Sequence, residues 1–143
     1  MERRFHELTP KKCPPEDAAV PNGEYFRFVY HNPPVAEDFV IWIQEPENKH
    51  LLAEKIREKD VNCVQFAISL LTEDGVSRSN ELFAQPLKEK ARKRGATSYG
   101  WAKIKLDHRS GTLKQTGRNP FHYDLWPDVA FKFEDYATLT KGL

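Results

Sequence analysis

The chain has 143 residues, 39% of them apolar and 30% charged, with 22 Lys and Arg against 21 Asp and Glu. That length suits one domain, which can bury roughly two thirds of its unfolded surface without a disulfide or metal to help it fold. The near-balanced charge excludes a globally nucleic-acid-seeking protein, and nine Phe, five Tyr and three Trp exclude a disordered chain.

Residues 1–22 hold four prolines and little periodicity, so they read as a flexible N-terminal arm, with residues 23–143 as one domain. The arm carries charge where a signal peptide would need an apolar centre. Nothing in the spacing of Cys13 and Cys63 pairs them, and they form no metal motif. The expectation is a reducing, cytoplasmic location. No apolar run approaches the ~18 residues of a membrane span.

"EYFRFVYH" at 24–31 is rich in β-favouring residues and predicts the first strand, broken by "NPP". Residues 34–45 then predict a helix, because Val35, Phe39, Trp42 and Ile43 draw one helical face and Pro34, Glu37 and Asp38 suit its first turn. The rival reading is a strand through "FVIWI". A polar helix follows at 47–60, with Leu51, Leu52 and Ile56 inward. "VNCVQFAISLL" at 61–71 is apolar or small on nearly every position, which is how a central strand reads.

"TEDG" at 72–75 reads as a turn, with Ser77 or Ser79 capping a helix that runs towards Gly95. Pro86 should split that helix, since it removes a backbone donor. Residues 97–107 alternate as a strand, "HRSG" turns, and "TLKQTG" is a second strand antiparallel to the one before. "VAFKFED" at 129–135 predicts the last strand. The expected fold is α+β: a mixed or mostly antiparallel sheet of about five strands, with two to three helices on one side.

Four patterns could carry chemistry. "NPFHYDLWPD" at 119–128 holds two prolines, three aromatic rings, a histidine and two carboxylates. His122 and Asp124, two apart, share a face in extended backbone, and an Asp beside His raises the imidazole pKa and fixes its orientation. No Ser or Cys nucleophile stands at a recognisable offset, so a loop fixed by aromatic packing outweighs a chemical site. His31 ends the first strand, where sites are often built. Drawn together, His31, His122 and Asp124 would form an acid–base site or a divalent metal triad, although no metal or cofactor is expected.

The run "KEKARKRG" and the strand after it supply Lys88, Lys90, Arg92, Lys93, Arg94, Trp101 and Lys103. Part of this run complements a helix dipole; the remainder offers cations and rings to a protein or nucleic-acid partner. Binding through this basic surface, residues 88–105, is the first expectation for function. The rings of Tyr25, Trp42 and Tyr136 suggest self-association.

The fourth pattern is Arg27 on the first strand, Ser69 on the central one and Glu134 on the last. It resembles the Arg–Ser–Glu triad of the ADP-ribosyltransferase fold. The resemblance implies that Arg27 and Ser69 hold NAD while Glu134 stabilises a ribosyl cation. The chain lacks that family's Ser-Thr-Ser run, and Lys132 stands two before Glu134. An enzyme working between residues 31 and 122 is therefore the alternative expectation.

Overall fold

The computed structural model describes residues 13–48, 50–51, 63–133 and 137–139. Among these residues six strands form one sheet: β1 (Gly23–Val29), β2 (Ile68–Leu71), β3 (Gly100–Leu106), β4 (Gly111–Gln115), β5 (His122–Pro127) and β6 (Ala137–Leu139). Their order is β4-β5-β2-β1-β3-β6, and every pairing is antiparallel. Two helices, α1 (Glu73–Leu82) and α2 (Ala84–Lys93), cover one face. The α+β expectation is met.

Alternation along β1 sorts its side chains. Phe26 and Phe28 pack with Trp101 and with Ala91 and Leu87 of α2, while Val29 and Tyr25 join the larger core on the other face. β1 pairs with β3 over seven residues but with β2 at one position only, Phe26 with Leu71. The sheet is thus two three-stranded halves joined by a single rung. At its far edge Ala19 exchanges both backbone hydrogen bonds with Leu113, at 2.8 and 2.9 Å, so the sheet curls back towards the segment preceding β1.

Several elements differ from the sequence reading. The helix expected at 34–45 is two 3-10 turns, Ala36–Phe39 and Trp42–Gln44, with Val40 and Ile41 extended between them. This bend buries Phe39, Ile41 and Ile43 together, which a straight helix could not do. In the expected strand at 61–71, Cys63–Phe66 forms a 3-10 turn and β2 starts at Ile68. "TEDG" is not a turn but the start of α1: Thr72 is the N-cap and its side chain accepts from the Gly75 backbone N–H at 3.2 Å. The helical stretch does divide, at Phe83, so that Pro86 falls in the first turn of α2, where its missing donor costs nothing. Gly95 ends α2 with φ of 73°, and the backbone bonds Ala96 to Ala91 and Gly95 to Arg92 close the end as a Schellman motif.

β4 does not pair with β3; it pairs with β5. "FHYDLWP" is accordingly not a loop: it contains β5, set between β4 and β2. Residues 129–133 hold no strand, and the last strand comes later, at β6. The helix expected at 47–60 lies mostly outside the described residues, as do His6, Glu134 and Tyr136. From Cys13 onward the expected arm is fastened down by a Cys13–Cys63 disulfide, an Asp17–Lys114 ion pair and the Ala19 bridge. That disulfide corrects the reading of two unpaired cysteines. No helix among the described residues is long and apolar enough to cross a membrane.

Candidate functional site

Ser69 and Asp124 are cross-strand partners on β2 and β5, and Leu71 pairs with His122 two residues on. Because Leu71 joins the helix-side cluster, Ser69, His122 and Asp124 project on that side as well. This face is covered at its two ends by different elements. At one end Gly75 of α1 sits so close to Leu71 and Phe121 that a Cβ there would lie 2.8 Å from Phe121. At the other, the Trp126 indole N–H donates to the Cys63 carbonyl at 3.0 Å, holding the 63–66 turn in place. Between these covers lies a cavity of about 400 Å³, lined by Ser69, Thr116, His122 and Asp124 and walled by Trp42 and Gln65.

The polar groups in this cavity form one network. Thr116 Oγ1 donates to Asp124 Oδ2 at 2.7 Å. Its proton is therefore committed, so His122 Nδ1, 3.0 Å away, is the donor to Thr116 Oγ1. That fixes the tautomer and turns Nε2 towards Asp124 Oδ1, 3.8 Å distant. Ser69, the cross-strand partner of Asp124, lines the same cavity. Burial raises the Asp124 pKa, while Thr116, His122 and Ser69 act to lower it. A carboxyl of raised pKa facing an imidazole across a cleft can hold and pass one proton.

Arg27 bridges the gap where the sheet halves part. Its guanidinium donates to the Ser69 carbonyl at 2.9 Å, to the Asp38 carbonyl at 2.6 Å and to Glu45 Oε1 at 3.3 Å. Arg27 thereby fixes Ser69 from the backbone side, with Asp124 as its cross-strand partner.

His31 stands elsewhere. Its Nδ1 donates to Asp38 at 3.1 Å, and it lines a different cavity from His122. Among the described residues no group of three His, Cys, Asp or Glu side chains could hold a metal, so His31, His122 and Asp124 do not form a metal triad. The pair His122 and Asp124 does come together, on one face of one strand.

The basic run is partly absorbed by the fold. Arg94 lies over the Tyr30 ring at 3.9 Å and pairs with Glu45 and Glu47. Arg92 pairs with Glu89, and Lys103 with Glu24 at 3.4 Å. Trp101 is a core residue, 4% exposed, with its N–H on Asn80, so its ring cannot stack on a base. Lys90 and Lys93 remain exposed and Lys88 half-exposed. Tyr25 meets Tyr123 edge-on at 5.2 Å, and Trp42 packs against the core; both rings are half-buried.

Thr116, Asp38 and Glu45 escaped sequence reading. Only the β4–β5 hairpin, reversing at Gly117 with φ of 74°, brings Thr116 to His122. Comparison with family models, curated proteins and solved structures finds no match to this chain.

Proposed function

We propose that the chain is an enzyme working in the cleft at the split of the sheet, and that its reaction is N-glycosidic bond cleavage or transfer of the ADP-ribosyltransferase kind, with NAD as donor. The supporting observation is the position of Ser69, held by Arg27 through its carbonyl and set opposite Asp124 as its cross-strand partner in the cavity. The acid of the Arg–Ser–acid pattern is then Asp124, the cross-strand partner of Ser69, in place of Glu134. One implied role does not carry over. Arg27 is committed to protein acceptors, so it braces the cleft wall and leaves the donor to other groups.

Two hydroxyls, an indole and a carboxylate suit a ribose carrying a planar leaving group. The C1′–N bond of the nicotinamide ribose breaks and the bonding pair leaves with nicotinamide. The Asp124 carboxylate stabilises the cation at C1′. Water or an acceptor hydroxyl adds there, and its proton passes to the Asp124–His122 pair.

Nicotinamide release from NAD by the full chain tests the reading. Asp124→Asn should lower turnover about 100-fold or more, within the range for loss of an acid–base group, while the circular dichroism spectrum stays native. A folded wild-type chain that releases no nicotinamide and binds no NAD overturns the proposal.

Lys88, Lys90 and Lys93 favour a second reading, contact with an acidic protein or nucleic-acid partner, because Lys90 and Lys93 stand exposed on α2 with Lys88 half-exposed. Single-stranded oligonucleotide binding that weakens with salt and is lost in the triple Lys→Glu variant would support it. Its absence at low salt would remove nucleic acid from consideration.

A further inference from the structure

His31 stands in the turn after β1, and Asp38 in the 3-10 turn Ala36–Phe39. Asp38 is 2% exposed. Its Oδ1 accepts from the Tyr30 backbone N–H at 2.9 Å and its Oδ2 from the Val35 N–H at 3.0 Å. Both oxygens thus serve groups that can only donate. The carboxylate meets His31 as an acceptor too, and the ring proton sits on Nδ1, 3.1 Å from Oδ2. Nε2 is left with its lone pair free. The ring is 48% exposed and lines a cavity of about 530 Å³, within the size range of small-molecule sites. No lining residue is shared with the cavity at Asp124. The two backbone bonds tie the turn; the third bond orients a ring that the fold leaves beside open space.

We infer that His31 is a general base for the hydrolysis of uncharged carboxylic esters, in a site separate from the Asp124 cleft, with Asp38 as its positioning residue. The lining fits that substrate class. Arg94 is balanced by Glu45 and Glu47, and Glu37 on the wall disfavours anions. Pro33 and Val35 offer an apolar wall to an acyl chain, while Thr97 and Ser98 offer hydroxyl donors to a carbonyl oxygen. Nε2 takes a proton from water as the water oxygen bonds to the ester carbon. The tetrahedral intermediate then expels the alkoxide, and the imidazolium returns the proton to it. The products are a carboxylic acid and an alcohol.

Hydrolysis of p-nitrophenyl acetate by the full chain near neutral pH tests this. The wild-type rate should exceed that of free imidazole at equal concentration by about 100-fold, the lower end of what a positioned base contributes. It should fall in heavy water, because a water proton moves in the step. His31→Gln, which keeps an N–H for Asp38, should erase the excess. His108→Gln, at an exposed histidine between β3 and β4, should leave it intact. Nitrogen resonances should show His31 protonated on Nδ1 in the wild type and drifting towards Nε2–H in Asp38→Asn, with the rate falling in step. A rate no greater than that of free imidazole, an excess that survives His31→Gln, or a wild-type ring protonated on Nε2 alone overturns the inference. If Asp38→Asn fails to fold, the His31→Gln comparison and the wild-type tautomer decide. NAD does not enter the assay, so the reading of the Asp124 cleft stands or falls separately.

Discussion

Burial lifts the Asp124 carboxyl above its ordinary range, and the three groups on it pull only part of the way back. A carboxyl whose pKa is raised by folding favours the native state at low pH, and that advantage is lost as pH climbs through the folded pKa. Asp124→Asn removes the penalty while keeping an acceptor for Thr116. We expect this variant to gain stability relative to wild type as pH rises from about 4 to 7, as measured by urea unfolding, while losing turnover. Arg27 behaves in the opposite way. Arg27→Met strips donors from Glu45 and two backbone carbonyls in the interior, and should cost about 3–5 kcal/mol in urea unfolding at pH 7. Part of this scale was legible: period-two alternation put His122 and Asp124 on one face of their strand. Asp38 was not legible, because its value comes from accepting backbone donors of Tyr30 and Val35, and backbone donors leave no trace in side-chain spacing.

Elements built from local signals were read best. β1 and β3 follow their alternation, and Gly95 stops α2 where glycine at positive φ closes a helix. The start of α1 was missed because Ser77 and Ser79 offer the same cap chemistry as Thr72, and only the Gly75 contact with Leu71 and Phe121 decides which residue begins the helix. Thr72→Ala should lower stability by about 1 kcal/mol, visible as a drop in Tm, whereas Ser77→Ala should leave Tm nearly unchanged. The segment at 34–45 has an apolar stripe wide enough for a helix or a strand, and the fold uses neither. Its backbone kinks at Val40 and Ile41 so that Trp42 can donate its N–H to the Ala67 carbonyl at 2.9 Å. Pairing partners for β4 and β5 could not be read, since the choice between neighbours depends on how far the sheet curls.

At the scale of the molecule, the Cys13–Cys63 link spans 50 residues and joins the start of the described chain to the turn beside the cleft. Val64 and Gln65, next to Cys63, line the Asp124 cavity. Reduction by a dithiol, or Cys63→Ser, should therefore lower stability by about 2–4 kcal/mol in urea unfolding and weaken ligand affinity at the cleft. The class of the fold was legible because composition and the order of elements bound it; the position of the site was not, because it depends on a seam between two halves.

That seam has a mechanical consequence. With a single rung between β1 and β2, the aperture of the cleft is not set by a backbone ladder. It is gauged by one planar side chain, the Arg27 guanidinium, acting as a spacer of fixed length between opposing walls. Shortening that spacer changes the width of the opening and frees the Ser69 carbonyl at its wall.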